Sequence, residues 1–95
     1  GVGRRVASLA RMPGLTNVYL FQSTSNPSRH YFGLTADVGR LLGSHNNGES
    51  PQTSKYRPWR LVARIQFLDE HRAQAFEKYL KSGSGRQFLE RHLLP

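Results

Sequence analysis

A single α/β domain of the α+β kind is expected of this chain: a three-stranded, mainly antiparallel sheet flanked by helices, in the order β-β-α-β-α-α. Two features carry the expectation. Three short runs rich in β-branched and aromatic residues cover 18–23, 30–34 and 59–68. Between and after them, apolar residues recur at helical spacing, as Val38, Leu41, Leu42 and His45 and again as Ala73, Phe76 and Leu80. Half-buried strands and one-sided helices are stable together when the helices pack on the sheet. At 95 residues the chain holds one domain at most and one modest core.

The elements follow in order. Residues 1–16 read as a basic arm of poor order, with Arg4, Arg5 and Arg11 among Gly1, Gly3, Pro13 and Gly14. The folded domain is expected over 17–95. Residues 18–23 form the first strand. Ser25-Asn26-Pro27-Ser28 is a turn, because proline presets φ while Asn and Ser bond their own backbone. Residues 30–34 complete a hairpin. Thr35 or Asp37 caps the first helix, whose inward face is Val38, Leu41, Leu42 and His45. Residues 46–56 read as a polar loop. In the third strand, Leu61, Ala63, Ile65 and Phe67 fall on one side, and Arg60, Arg64 and Gln66 mostly on the other. Asp69 caps a helix that runs to about Lys81, with Ala73, Phe76 and Leu80 as its apolar stripe. Ser82-Gly83-Ser84-Gly85 breaks it, and residues 86–93 form a last short helix with Phe88, Leu89 and Leu93 inward.

Composition narrows the function. There is no cysteine, which removes disulfides, zinc ribbons and thiol nucleophiles and suits a reducing compartment. No apolar run approaches the roughly 20 residues that span a bilayer. No apolar segment follows the N-terminal arginines, so no secretory signal is read there. Cytoplasmic residence without membrane contact is the expectation. Fourteen basic residues against six acidic ones give a formal charge of +8. A field of that sign and size on a small domain favours polyanions, nucleic acid above all.

Several side chains have the types that phosphodiester cleavage needs: a water-activating base, a carboxylate for a metal, and cations for the phosphate oxygens. Tyr19 and Tyr31 lie on adjacent strands, where they are either core and edge tyrosines or a pair converging on one rim. Glu77 follows Phe76 and sits beside the buried stripe, so it either pairs with Lys81 at i+4 or offers a carboxylate to a metal. Magnesium needs one or two carboxylates plus waters, so one Glu suffices chemically. His45 shares a helical face with Leu41 and either meets the helix dipole or a phosphate. Arg57-Pro58-Trp59 is first of all a structural turn with Trp59 in the core. Lys55, Arg57, Lys78, Lys81 and Arg86 supply a phosphate-binding rim. Such contacts set affinity and register, not sequence choice.

Taken in order, Val18-Tyr19-Leu20, Tyr31-Phe32-Gly33, Arg40, His45-Asn46, Arg57-Pro58-Trp59, Glu77-Lys78-Tyr79-Leu80-Lys81 and Gly85-Arg86 resemble the GIY-YIG nuclease superfamily, in particular its small stand-alone bacterial members. The resemblance spans roughly residues 16–94. It implies a DNA endonuclease that hydrolyses phosphodiester bonds with Mg2+ or Mn2+ and leaves 5′-phosphate and 3′-hydroxyl ends. It implies no small-molecule cofactor and leaves the oligomeric state open. By the same resemblance Glu77 is the metal ligand, Tyr19 the base with Tyr31 orienting the water, and His45 a phosphate contact or proton relay. One position departs from the family. Similar members read Lys/Thr-Arg-Leu where this chain has Arg40-Leu41-Leu42, so Leu41 stands at the catalytic arginine's place. Arg40 lies one residue earlier, about 100° around the helix, and is the candidate to reach the site by its long stem. The supporting Asn that larger relatives carry after the glutamate is missing, with Gln87 its possible replacement. The alternative function is a catalytically inactive nucleic-acid-binding module of the same fold.

Overall fold

A computed structural model describes residues 16–95. The expected basic arm therefore lies outside the described residues, apart from Thr16, which opens the first strand. The elements are β1 (Thr16–Ser23), β2 (His30–Thr35), α1 (Val38–Asn46), α2 (Pro51–Ser54), β3 (Trp59–Phe67), α3 (Glu70–Leu80), α4 (Gly83–Phe88) and a closing π-helical turn (Leu89–Leu93). The sheet has the order β2-β1-β3, and both pairings are antiparallel. No helix among the described residues is long and apolar enough to cross a membrane.

The central strand β1 is buried on both faces, and each face has its own core. Val18 and Leu20 meet Ala73, Leu80 and Leu89, with Phe32, Phe67 and Phe76 packed around them. Tyr19 and Phe21 meet Val38 and Trp59, with Leu41, Leu42 and Tyr56 around them. So α3 and α4 cover one face of the sheet, and α1 and α2 lie on the other. Burying a large apolar side chain is worth about 1.5–3 kcal/mol. A central strand with two apolar faces is therefore the element on which the rest condenses.

Strand β3 does not alternate as its sequence suggests. Leu20 pairs with Ala63, while its neighbour Phe21 pairs with Leu61. Val62 is the extra residue of a β-bulge. Leu61 pairs with a residue on the Tyr19 side and Ala63 with one on the opposite side, so the expected single row of Leu61, Ala63, Ile65 and Phe67 is split. Trp59 consequently joins the Tyr19–Phe21 core, and Ala63 and Phe67 join the other.

Two further expectations are corrected. The polar loop 46–56 contains α2, with Pro51 at its start and Thr53 buried. Proline at the first position of a helix loses no hydrogen bond and is preset in φ. The last helix begins at Gly83, inside the expected break, because the Ser82 hydroxyl caps it by accepting from the Gly85 N–H at 3.1 Å. A Cβ at Gly85 would overlap the Tyr79 carbonyl, so glycine is what lets α4 turn back tightly against the end of α3. The other caps stand as read: Asp37 accepts from the Arg40 N–H, and Asp69 from the His71 N–H.

Candidate active site

The hairpin sets the first part of the site. Tyr19 is opposite Gly33 across the β1–β2 ladder, and its ring lies over that glycine. With no side chain at 33, the phenol crosses the edge strand. Tyr31, opposite Phe21, stands beside it, with ring centroids 6.3 Å apart and planes at 25°. Tyr19 is 4% exposed and Tyr31 39%.

Helix α1 brings the imidazole. The His45 ring centroid is 5.3 Å from that of Tyr31 and 5.7 Å from that of Phe21. His45 is 6% exposed, and its Nδ1 is 2.7 Å from the Thr53 hydroxyl of α2. The next residue locks the helix end to β3: the Asn46 amide donates to the Trp59 carbonyl at 3.0 Å and its oxygen accepts from the Trp59 N–H at 2.6 Å. The Trp59 indole N–H donates to the Thr53 carbonyl at 2.9 Å. The motifs His45-Asn46 and Arg57-Pro58-Trp59 are thus one structural clamp, and Arg57-Pro58 is a cis peptide.

Tyr19, Tyr31, Leu41 and His45 line one open cleft of about 460 Å³, together with Glu49 and Ser50. Leu41 is half-buried and packs on the Tyr19–Phe21 core. Arg40 is exposed on α1 and does not line this cleft. Glu49 accepts from the Ser44 hydroxyl at 2.9 Å and puts a carboxylate on the cleft wall.

Glu77 stands in the other helical layer and does not line this cleft. It lies on α3, its side chain is 17% exposed, and it forms an ion pair with Lys81 at 3.2 Å. Its charge is nonetheless felt at Tyr19. Burial, then the neighbouring Tyr31, then Glu77 push the Tyr19 phenol above its ordinary value of 10.0. Burial lowers His45 below its ordinary 6.5. Near neutral pH the site therefore holds a protonated phenol and a neutral imidazole. That environment opposes the phenolate form a tyrosine base requires, unless positive charge arrives beside Tyr19.

No group of three or more metal-ligating residues occurs among the described residues. The donor set around Tyr19 holds two carboxylates, Glu49 on the cleft wall and Glu77 on α3. It fits a magnesium-type ion, which keeps waters and takes substrate phosphate oxygens as its remaining ligands. It does not fit a metal caged by protein side chains alone.

The expected phosphate rim is exposed. Lys78, Lys81 and Arg86 flank Glu77 in sequence and stand at the surface. Lys55 lies over the Tyr56 ring at 5.3 Å. The Arg57 Nε donates to the Ser54 carbonyl at 2.8 Å, and its guanidinium packs against Gly48, which has φ +76°. Sequence reasoning missed Thr53 and Glu49, both within the supposed loop. The Ser50-Pro51 pair was the signal that a helix begins there.

A two-core sheet presenting paired phenols at its edge, with an imidazole on one side and a carboxylate near them, defines a nuclease-type domain. A family model, "GIY-YIG catalytic domain", matches residues 16–90, and the chain belongs to that family. It is also similar to the "Structure-specific endonuclease subunit SLX1" of Scheffersomyces stipitis, with 39% identity over 57 residues. That match covers 54% of this chain and only 17% of the relative.

Proposed function

We propose that this domain is a metal-dependent DNA endonuclease whose activity is weakened by Leu41. The observation that carries the reading is the meeting of Tyr19, Tyr31 and His45 on one cleft with the Glu77 charge acting on Tyr19. Glu77 is the residue that would hold Mg2+ or Mn2+. Such an ion, when bound, supplies charge stabilisation and lowers the pKa of water.

The chain's own residues do the rest. Glu77 releases Lys81 and offers its carboxylate. Tyr31, the more exposed phenol, orients the attacking water, and Tyr19 takes its proton once nearby positive charge offsets the burial of its hydroxyl. His45 meets a phosphate oxygen. Lys55, Arg57, Lys78, Lys81 and Arg86 hold the strand by its backbone, which gives register without base readout. The SLX1 relative is named structure-specific, and by likeness a DNA structure rather than a base sequence is the expected target.

Leu41 favours a second reading, a catalytically inactive module that still binds nucleic acid. A nicking assay on plasmid and on branched duplexes, with and without Mg2+ or Mn2+, separates the two. Metal-dependent cleavage lost in Glu77→Ala supports the endonuclease. Binding without cleavage under any metal supports the module.

A further inference from the structure

We infer that Thr53 is a positioning residue for His45: its hydroxyl donates to Nδ1, fixes the ring as the Nε2–H tautomer, and turns that N–H into the cleft as a donor to a phosphate oxygen. The phosphate part of the inference rests on the proposed nuclease reading; the tautomer part does not.

Two acceptors compete for the Thr53 hydroxyl proton. The His45 Nδ1 is at 2.7 Å and the Ser50 carbonyl at 3.5 Å. The first distance is typical of a hydroxyl donor and shorter than most N–H···O bonds, whereas the second is long for any donor. The proton therefore goes to Nδ1. A neutral imidazole has one donor and one acceptor nitrogen, so accepting at Nδ1 leaves the proton on Nε2. The ring is neutral near pH 7 because burial disfavours its charged form.

Where Nε2 points follows by elimination. Among the described residues it has no protein partner, and no buried side-chain nitrogen or oxygen lacks one. Nε2 is therefore reached by solvent, and the opening at His45 is the cleft shared with Tyr19 and Tyr31. The rest of the ring is held by Phe21, Tyr31 and Trp59 at centroid distances of 5.7, 5.3 and 6.5 Å. Thr53 is itself fixed, being 4% exposed and held through its carbonyl by the Trp59 indole. Short helix α2 thus supplies, through Thr53, both the Nδ1 partner and the anchor of Trp59. An Nε2–H donor partly replaces the cation that Leu41 cannot supply, and it removes His45 from consideration as a base.

Nitrogen-15 NMR of the imidazole tests this on the intact chain. At a pH where His45 is neutral, wild type should show Nε2 protonated and Nδ1 as a hydrogen-bonded lone pair. In Thr53→Val, the Nδ1 resonance should move downfield toward its unbonded value, and Thr53→Ser should restore it. Titration with a short oligonucleotide should shift Nε2 in wild type. Where wild type cleaves DNA, Thr53→Val should lower kcat by up to about 100-fold with little change in KM, as misplaced groups do. A wild-type Nδ1–H tautomer overturns the inference, and that measurement needs no variant to fold. So does an Nδ1 resonance indifferent to Thr53→Val. The expected tautomer with no shift of Nε2 by the oligonucleotide overturns the phosphate contact. Absence of cleavage with the expected tautomer and shift overturns the nuclease reading alone.

Discussion

The Tyr19 hydroxyl lies across Gly33, so near that a Cβ at position 33 would stand 2.8 Å from it. Real side chains do not approach that closely, so either the phenol moves or the strand does. The glycine is thus a passage through the edge strand, and the position of the phenol depends on it.

Gly33→Ala should therefore displace Tyr19 and reduce cleavage by about 10- to 100-fold. Overpacking costs about 1–3 kcal/mol, so the variant should remain folded at room temperature with a lower Tm. Thermal melts and cleavage rates measured together check this. Unchanged cleavage in a folded variant would remove Tyr19 from the chemistry.

Leu41→Arg should restore or raise cleavage. One donor to the transition-state oxygens is typically worth about 100- to 1000-fold in rate. Leu41 lines the open cleft, so an arginine stem can pack where leucine packs and place its head among the phosphate oxygens. Adding Glu77→Ala should abolish the gain. Brisk cleavage by wild type, unchanged by Leu41→Arg, would show that another cation already acts.

His45 should give stability an acid limb. Its pKa is lowered below 6.5 by burial, so below 6.5 the unfolded chain binds more protons than the folded one. The contribution is present in full above that value and is lost as pH falls through the folded value. Urea unfolding of wild type and His45→Gln at several pH values between about 5 and 7.5 reads it. The difference between the two proteins should narrow as the pH drops; a constant difference would mean that His45 titrates alike in both states.

Binding to DNA should weaken steeply with salt. Five basic rim residues releasing counterions give a slope of about −4.5 in log K against log salt. Fluorescence anisotropy of a labelled duplex at rising salt measures it, and an unrelated sequence should bind about equally. An affinity flat from low to physiological salt would refute a backbone-held complex.

Much of this was legible in the sequence because the cues were local. Asp37 and Asp69 cap their helices where side-chain chemistry placed them, and the Tyr19 and Tyr31 strands pair as a hairpin. The meeting of the two tyrosines with His45 was an expectation of the family resemblance, because spacing alone left each of the three open to a purely structural place. What escaped were features set by tertiary partners. Thr53 is one polar residue among many in 46–56, and only Trp59 and His45 reveal why it is buried. The spacing offered Glu77 as a partner of Lys81 or as a metal ligand; the ion pair forms, and the Glu77 influence on Tyr19 was not foreseen. The bulge escaped because two half-alternations read, from composition, like one.

That bulge has a consequence for how the chain tolerates change. Strand β3 is written in two phases, one for Trp59 and Leu61 and another from Ala63 onward, with Val62 as the shift between them. Excising Val62 would leave Leu61 and Ala63 side by side, opposite Phe21 and Leu20, and a regular ladder would keep each on the side it now occupies. Trp59 is bolted to Asn46 and Thr53, so the upstream half would stay in place while the downstream half kept Ala63 and Phe67 in the core that Leu80 and Leu89 complete. An added residue has no such escape, because a one-residue shift exchanges inside for outside along a strand. The strand thus carries one residue in reserve: a single deletion at the bulge should cost little beyond the packing of the Val62 side chain, and a single insertion far more.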